Sequence, residues 1–163
     1  MNPIRFILSG FCVTLLLFSG CKVGQNTKVS QKPMPFERTA EVEFVEAASN
    51  TITLISTHRA ENQQTAIVYA EVNALENLLF RGIPGSNQEN PLIEDEKNAF
   101  KKHNEFLKRL LDQGTYRQFM IASENDSTQQ QNNSVEVRQL VTIDLKALRK
   151  HMESNGVIRS FGL

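Results

Sequence analysis

The chain is predicted to form an α+β fold, a mostly antiparallel sheet with helices packed on one face. Three observations carry this reading. Runs with an apolar residue at every second position occur both early, in "VEFVEA" and "TITLIST", and late, in "VEVRQLVTI". Between them stand two longer stretches whose apolar residues recur every three or four positions. The resulting order, strand(s)–helix–helix–strand–strand–helix, is not the regular alternation of a nucleotide-binding parallel sheet.

Each element has its own local cause. Glu41 to Glu46 alternates with period two, and Thr51 to Thr57 does so with many β-branched residues, which suit a pleated surface. These are two strands, or one long strand bent at Ser49-Asn50. Ala66, Ala70 and Ala74 then recur every fourth residue, with Ile67, Leu75 and Leu78 beside them. That spacing predicts a helix from about Asn62 to Phe80 whose small-residue ridge lies close to a sheet. Gly82 is expected to end it with a positive φ, and Pro84 prevents its resumption. A second helix is expected from about Glu94 to Gln113, with Phe100, His103, Leu107, Leu110 and Leu111 on one side and Gly114 at its end. Strands are expected at Tyr116 to Ser123 and Val135 to Ile143. In the latter, Val135, Val137, Val141 and Ile143 share a face that Gln139 interrupts. The polar segment "ENDSTQQQNNS", residues 124 to 134, reads as a low-complexity loop between these strands. Asp144 caps a last helix to Asn155, stopped by Gly156, and the tail from Val157 to Phe161 could add a short edge strand.

The N-terminus is organised differently. Arg5 is the only charge before Lys22, and Phe6 to Phe18 is almost wholly apolar. This run is short for a membrane span, which needs about 20 residues, and has the layout of a signal-peptide core. It is followed by Leu17-Phe18-Ser19-Gly20-Cys21, which resembles a bacterial lipobox, with Phe18 as an aromatic departure from the pattern. The resemblance implies cleavage before Cys21, a diacylglycerol on its thiol and an acyl group on its new amine. A cleaved secretory signal with a free Cys21 and an uncleaved anchor helix are the alternatives. The only other cysteine, Cys12, lies inside the segment that would be removed, so a disulfide partner is lacking. Several acyl chains hold a membrane durably where one does so only marginally. Lys22 follows the cysteine, rather than the aspartate that marks inner-membrane retention in some Gram-negative bacteria. By resemblance this favours the outer membrane.

The organisation expected is therefore a signal peptide at residues 1–20, a lipidated cysteine and flexible tether at 21–36, and a single α+β domain at 37–163. The tether carries Lys22, Lys28 and Lys32 without an acid and ends in Pro33-Met-Pro35. Loss of Arg5 turns a balance of 18 basic and 18 acidic residues slightly negative. Nothing in that balance calls for a nucleic-acid partner.

The element order with Gly82-Ile83-Pro84-Gly85 resembles a KH domain, whose G-x-x-G loop clamps nucleic-acid backbone. Here, however, residues 86 to 93 intervene before the next helix, and the middle pair is not basic. A glycine-stopped helix followed by a turn accounts for the stretch. Taken with the lipobox, the strand, the Ala-rich helix and the paired later strands resemble small domains of uncharacterised bacterial envelope lipoproteins. They are loosely similar to the N-terminal domain of the flagellar assembly protein T. The resemblance implies a component of an envelope assembly.

Catalytic patterns are missing from the sequence. His58, His103 and His151 lack metal-ligand spacing, and neither a P-loop nor a G-x-S-x-G is present. Glu94-Asp95-Glu96 has sufficient cause at a helix start, where carboxylates favour the dipole. Glu41, Glu43 and Glu71 read as solvated faces. No cofactor or metal is expected. Two candidate sites remain: a partner-binding loop, Gly82, Ile83, Pro84, Gly85 and Ser86, and a basic patch of Arg138, Lys146, Arg149 and Lys150. The function expected is a non-catalytic binding or scaffold module, joined to the membrane through Cys21 and to a protein partner in the envelope. The alternative is a cell-wall or glycan hydrolase using surface carboxylates.

Overall fold

A computed structural model describes residues 35–159. The predicted signal segment, Cys21 and all but the last two residues of the tether lie outside the described residues, as do residues 160–163. Strands β1 (Val42–Ala47), β2 (Thr51–Ala60), β3 (Met120–Gln131) and β4 (Ser134–Asp144) form one sheet in the order β1-β2-β4-β3. Every neighbouring pair is antiparallel. Helices α1 (Gln63–Phe80), α2 (Glu96–Leu111) and α3 (Leu145–Ser154) contribute to a core on one face of it. The α+β architecture follows from the pattern of the sequence.

The sheet meets α1 where the alanine ridge predicts. Ala66, Ala70 and Ala74 have no exposed surface, so the helix backbone approaches β2 and β4 closely. Asn62 caps α1, its side chain accepting from the Thr65 amide at 2.9 Å. Inward-facing Ile52, Leu54, Val141 and Ile143 join Leu75, Leu78 and Leu79 of α1, Leu107 and Leu110 of α2, and Leu148 and Met152 of α3 in one apolar cluster. Each such side chain contributes about 1.5–3 kcal/mol by leaving water. A smaller cluster, Ala60, Ala66, Val135 and Val137, closes the opposite end of the sheet.

A buried polar layer lies between these clusters. Ser56 and Gln139 face each other across β2 and β4 on the inner side. Asn73 of α1 donates to Ser56 Oγ at 3.1 Å and accepts from the Thr39 amide at 2.8 Å. Asn77 donates to the Thr39 carbonyl at 2.9 Å. These bonds tie the strap before β1 onto α1. Arg38 completes the tie, bonding Glu76 at 2.7 Å and Glu96 at 2.6 Å while its guanidinium sits 4.8 Å above the Phe80 ring. Phe36, at the end of the predicted tether, already packs against His58 and Tyr69, with ring centroids 5.4 Å away.

Three expectations require correction. The segment from Glu124 to Gln131 is not a loop: it is the outer part of β3, paired with β4 down to Gln131–Ser134. A two-residue turn, with Asn132 at φ 45°, closes the hairpin. Side chains there face water on an edge strand, so the apolar alternation that marks a strand is missing. The preceding strand starts at Met120 rather than Tyr116, because Thr115–Phe119 forms a 3-10 turn that buries Tyr116 and Phe119. Val157 to Arg159 adds no edge strand; the Val157 amide instead donates to the Met152 carbonyl, finishing α3.

Candidate functional site

The connection between α1 and α2 is tightly built. The amides of Arg81 and Gly82 both donate to the Asn77 carbonyl at 2.9 Å, which ends α1. Gly82 has φ +80°, and a Cβ there would fall 1.8 Å from the Glu89 carbonyl oxygen. Ile83 is buried and packs inward in the core cluster. Ser86 donates through Oγ to the Ile83 carbonyl at 2.8 Å and accepts from the Gln88 amide at 2.9 Å. Leu92 and Ile93 then donate to the carbonyls of Leu78 and Leu79, satisfying the end of α1. Of the five loop residues, only Pro84 and Gly85 are exposed and Ser86 partly so.

The basic patch divides. Arg138 lies on the outer face of the sheet, opposite to α3, where it bonds Glu43 at 2.8 Å and Asp126 at 3.1 Å. Its bond holds the Glu43 carboxyl below the ordinary range. Lys146 and Lys150 are exposed on α3. Arg149 turns instead toward the connection and donates to Gln88 Oε1. The structure thus joins Arg149 to the loop region and leaves Arg138 on a different surface.

What brings Ser86 and Arg149 together is a groove of about 890 Å³ between residues 86–95, the first half of α2 and the end of α3. Lys102, Arg149 and Arg159 supply its cations, Glu89, Glu94 and Asp95 its carboxylates, and the His103 imidazole lines it as well. Asn87, Asn90 and Asn98 add amide donors and acceptors over an apolar floor that includes Leu92, Ile93 and Val157. His103 sits at a break in α2, with φ −125° and ψ 28° inside the helix. Neither Pro nor Gly stands in α2, so no local sequence signal marks this kink. Asp95 caps the helix by accepting from the Asn98 amide at 2.9 Å, and Glu96 is drawn to Arg38. Among the described residues, no cluster of His, Cys, Asp or Glu is arranged to hold a metal.

A second polar cluster escaped the sequence reading. Glu71 is not solvated: it is buried on α1 and accepts from Tyr116 at 2.9 Å, Ser123 at 2.8 Å and Arg117 at 3.3 Å. Burial and the adjacent carboxylate push the Tyr116 phenol well above its ordinary value. Gln139 donates to Ser123 at 2.9 Å, while its Oε1 has no partner among the described residues. Glu43 and Glu71 therefore lie on opposite faces of the sheet, each held by an arginine.

No protein-family profile matches the chain, and no match is found among curated proteins or solved structures. The class the fold and groove define is a small α+β domain with a polar cleft on its helical side.

Proposed function

We propose that this chain is a non-catalytic binding module of a bacterial cell envelope, anchored by acyl chains on Cys21, most consistent with the outer membrane. In this reading the groove beside the α1–α2 connection receives a protein partner. One observation carries it: the groove gathers amides and charges of both signs over an apolar floor, chemistry that suits a polypeptide with its own donors, acceptors and charges. The lipobox resemblance supports the anchor, and Lys22 after Cys21 supports the outer membrane. Of the carboxylates that the hydrolase alternative would use, Glu43 and Glu71 lie on opposite faces of the sheet and form no converging pair.

The test is a photo-crosslinking amino acid at Asn90, with the same residue at Gln129 as a control on the outer strand. In cells producing the lipidated chain, a discrete adduct is expected from Asn90 alone. Lys102→Glu with Arg159→Glu should reduce its yield at least tenfold while leaving the melting temperature unchanged. An adduct that survives the charge reversal, or one that forms only from Gln129, overturns the groove as the binding site.

A further inference from the structure

The sheet has a second face, turned away from the helices and from the groove. Cross-strand register places two rows on it: Glu43–Ile55–Leu140–Glu124, and beside it Glu46–Thr53–Thr142–Ala122. Each edge strand carries a bulge at this level, between Phe44 and Glu46 on β1 and between Met120 and Ala122 on β3. The extra residues are Val45 and Ile121, which are 45% and 60% exposed and are the exposed large apolar side chains among the described residues. A bulge sets two residues against one on the partner strand and re-aims the extra side chain. Here the two bulges stand at the edges of the Thr53–Thr142 row, next to the half-buried Ile55 and Leu140, and add exposed apolar surface at both ends of this level.

The electrostatics of this strip are one-sided. Farther along the face, Arg59 is engaged by Glu136, and Arg138 by Glu43 and Asp126. Both guanidinium groups are thereby neutralised. Glu46 and Glu124 rim the strip without a cationic partner among the described residues. An acidic rim opposes an anionic membrane surface and opposes a second copy of the same face. It complements a cationic polypeptide. An amphipathic helix fits such a strip as α1 fits the other face of the same sheet, by laying an apolar stripe against it.

We propose that this outer face docks an amphipathic helix of a protein partner, with lysine or arginine on both flanks of its apolar stripe. The chain then has two binding surfaces, the groove on one side of the sheet and this strip on the other.

The probe is a synthetic amphipathic helix of leucine and lysine, with a leucine–glutamate counterpart, titrated into the purified full chain by fluorescence anisotropy. The lysine peptide is expected to bind, and the glutamate peptide to bind at least tenfold more weakly. Val45→Ser with Ile121→Ser should weaken the lysine peptide at least tenfold with an unchanged melt, since both side chains are exposed. Glu46→Lys with Glu124→Lys should reverse the preference between the peptides. Equal binding by both peptides, or lysine-peptide binding that neither pair of substitutions weakens, overturns the proposal. So does a dimer in sedimentation equilibrium that Ile121→Ser dissociates, which would assign the face to a second copy.

Discussion

Adding one methyl group at Gly82 would drive it into the Glu89 carbonyl, 1.8 Å away, at a backbone φ of +80°. Gly85 has a similar φ of +77°, but nothing lies within 4 Å of its would-be Cβ. The two positions therefore separate conformational strain from collision. Gly85→Ala should cost about 1–2 kcal/mol, the left-handed penalty alone. Gly82→Ala should cost about 3 kcal/mol or more, because the loop must move as well. Urea denaturation of both variants checks this; equal losses would mean that the contact at Glu89 relaxes freely. Gly82 was legible because a glycine after the last helical turn has a local meaning. Glu71 and Gln88 were not, since their burial depends on Tyr116 and Arg149, distant in sequence and without periodic signal.

At the scale of elements, the strap before β1 is joined to both α1 and α2 through a single side chain. Arg38 bridges Glu76 and Glu96, and its side chain is only 17% exposed. The hydrogen bond from Arg38 is the main cause that lowers the Glu96 carboxyl below its ordinary range. Because the folded value is the lower one, this stabilisation is complete above the ordinary glutamate range. It is lost as the pH falls through the folded value. Arg38→Ala should cost about 1–2 kcal/mol at neutral pH, combining partly exposed pairs with the stacking on Phe80. The difference from wild type should shrink on acidification without vanishing, because the Phe80 contact does not titrate. Denaturant titrations at several pH values check it, and a difference that grows toward acid would reverse the sign. The helices and inner strands were legible because apolar period reports burial. The outer half of β3 was hidden by polar side chains, although its backbone pairs regularly with β4.

For the whole molecule, the question is whether anchoring and folding are separable. Packing of the described chain begins at Phe36, which meets His58 and Tyr69, well downstream of Cys21. Arg38 and Thr39 then fix the strap to the helices. If attachment resides in acyl chains on Cys21, as we propose, removing the thiol should leave this packing intact while abolishing the membrane affinity that several chains provide. Cys21→Ala is therefore expected to melt within about a degree of wild type, to lose incorporation of labelled palmitate, and to leave the membrane fraction. Its stability change should be close to zero, since surface substitutions away from packed features usually fall within about 0.5 kcal/mol. A variant that still sediments with membranes at the size of the uncleaved chain would assign the anchor to the apolar run Phe6 to Phe18. A variant that leaves the membrane but melts much lower would place Cys21 within the folded unit. Only retained melting with lost lipid and lost membrane association supports a domain that folds independently of its anchor.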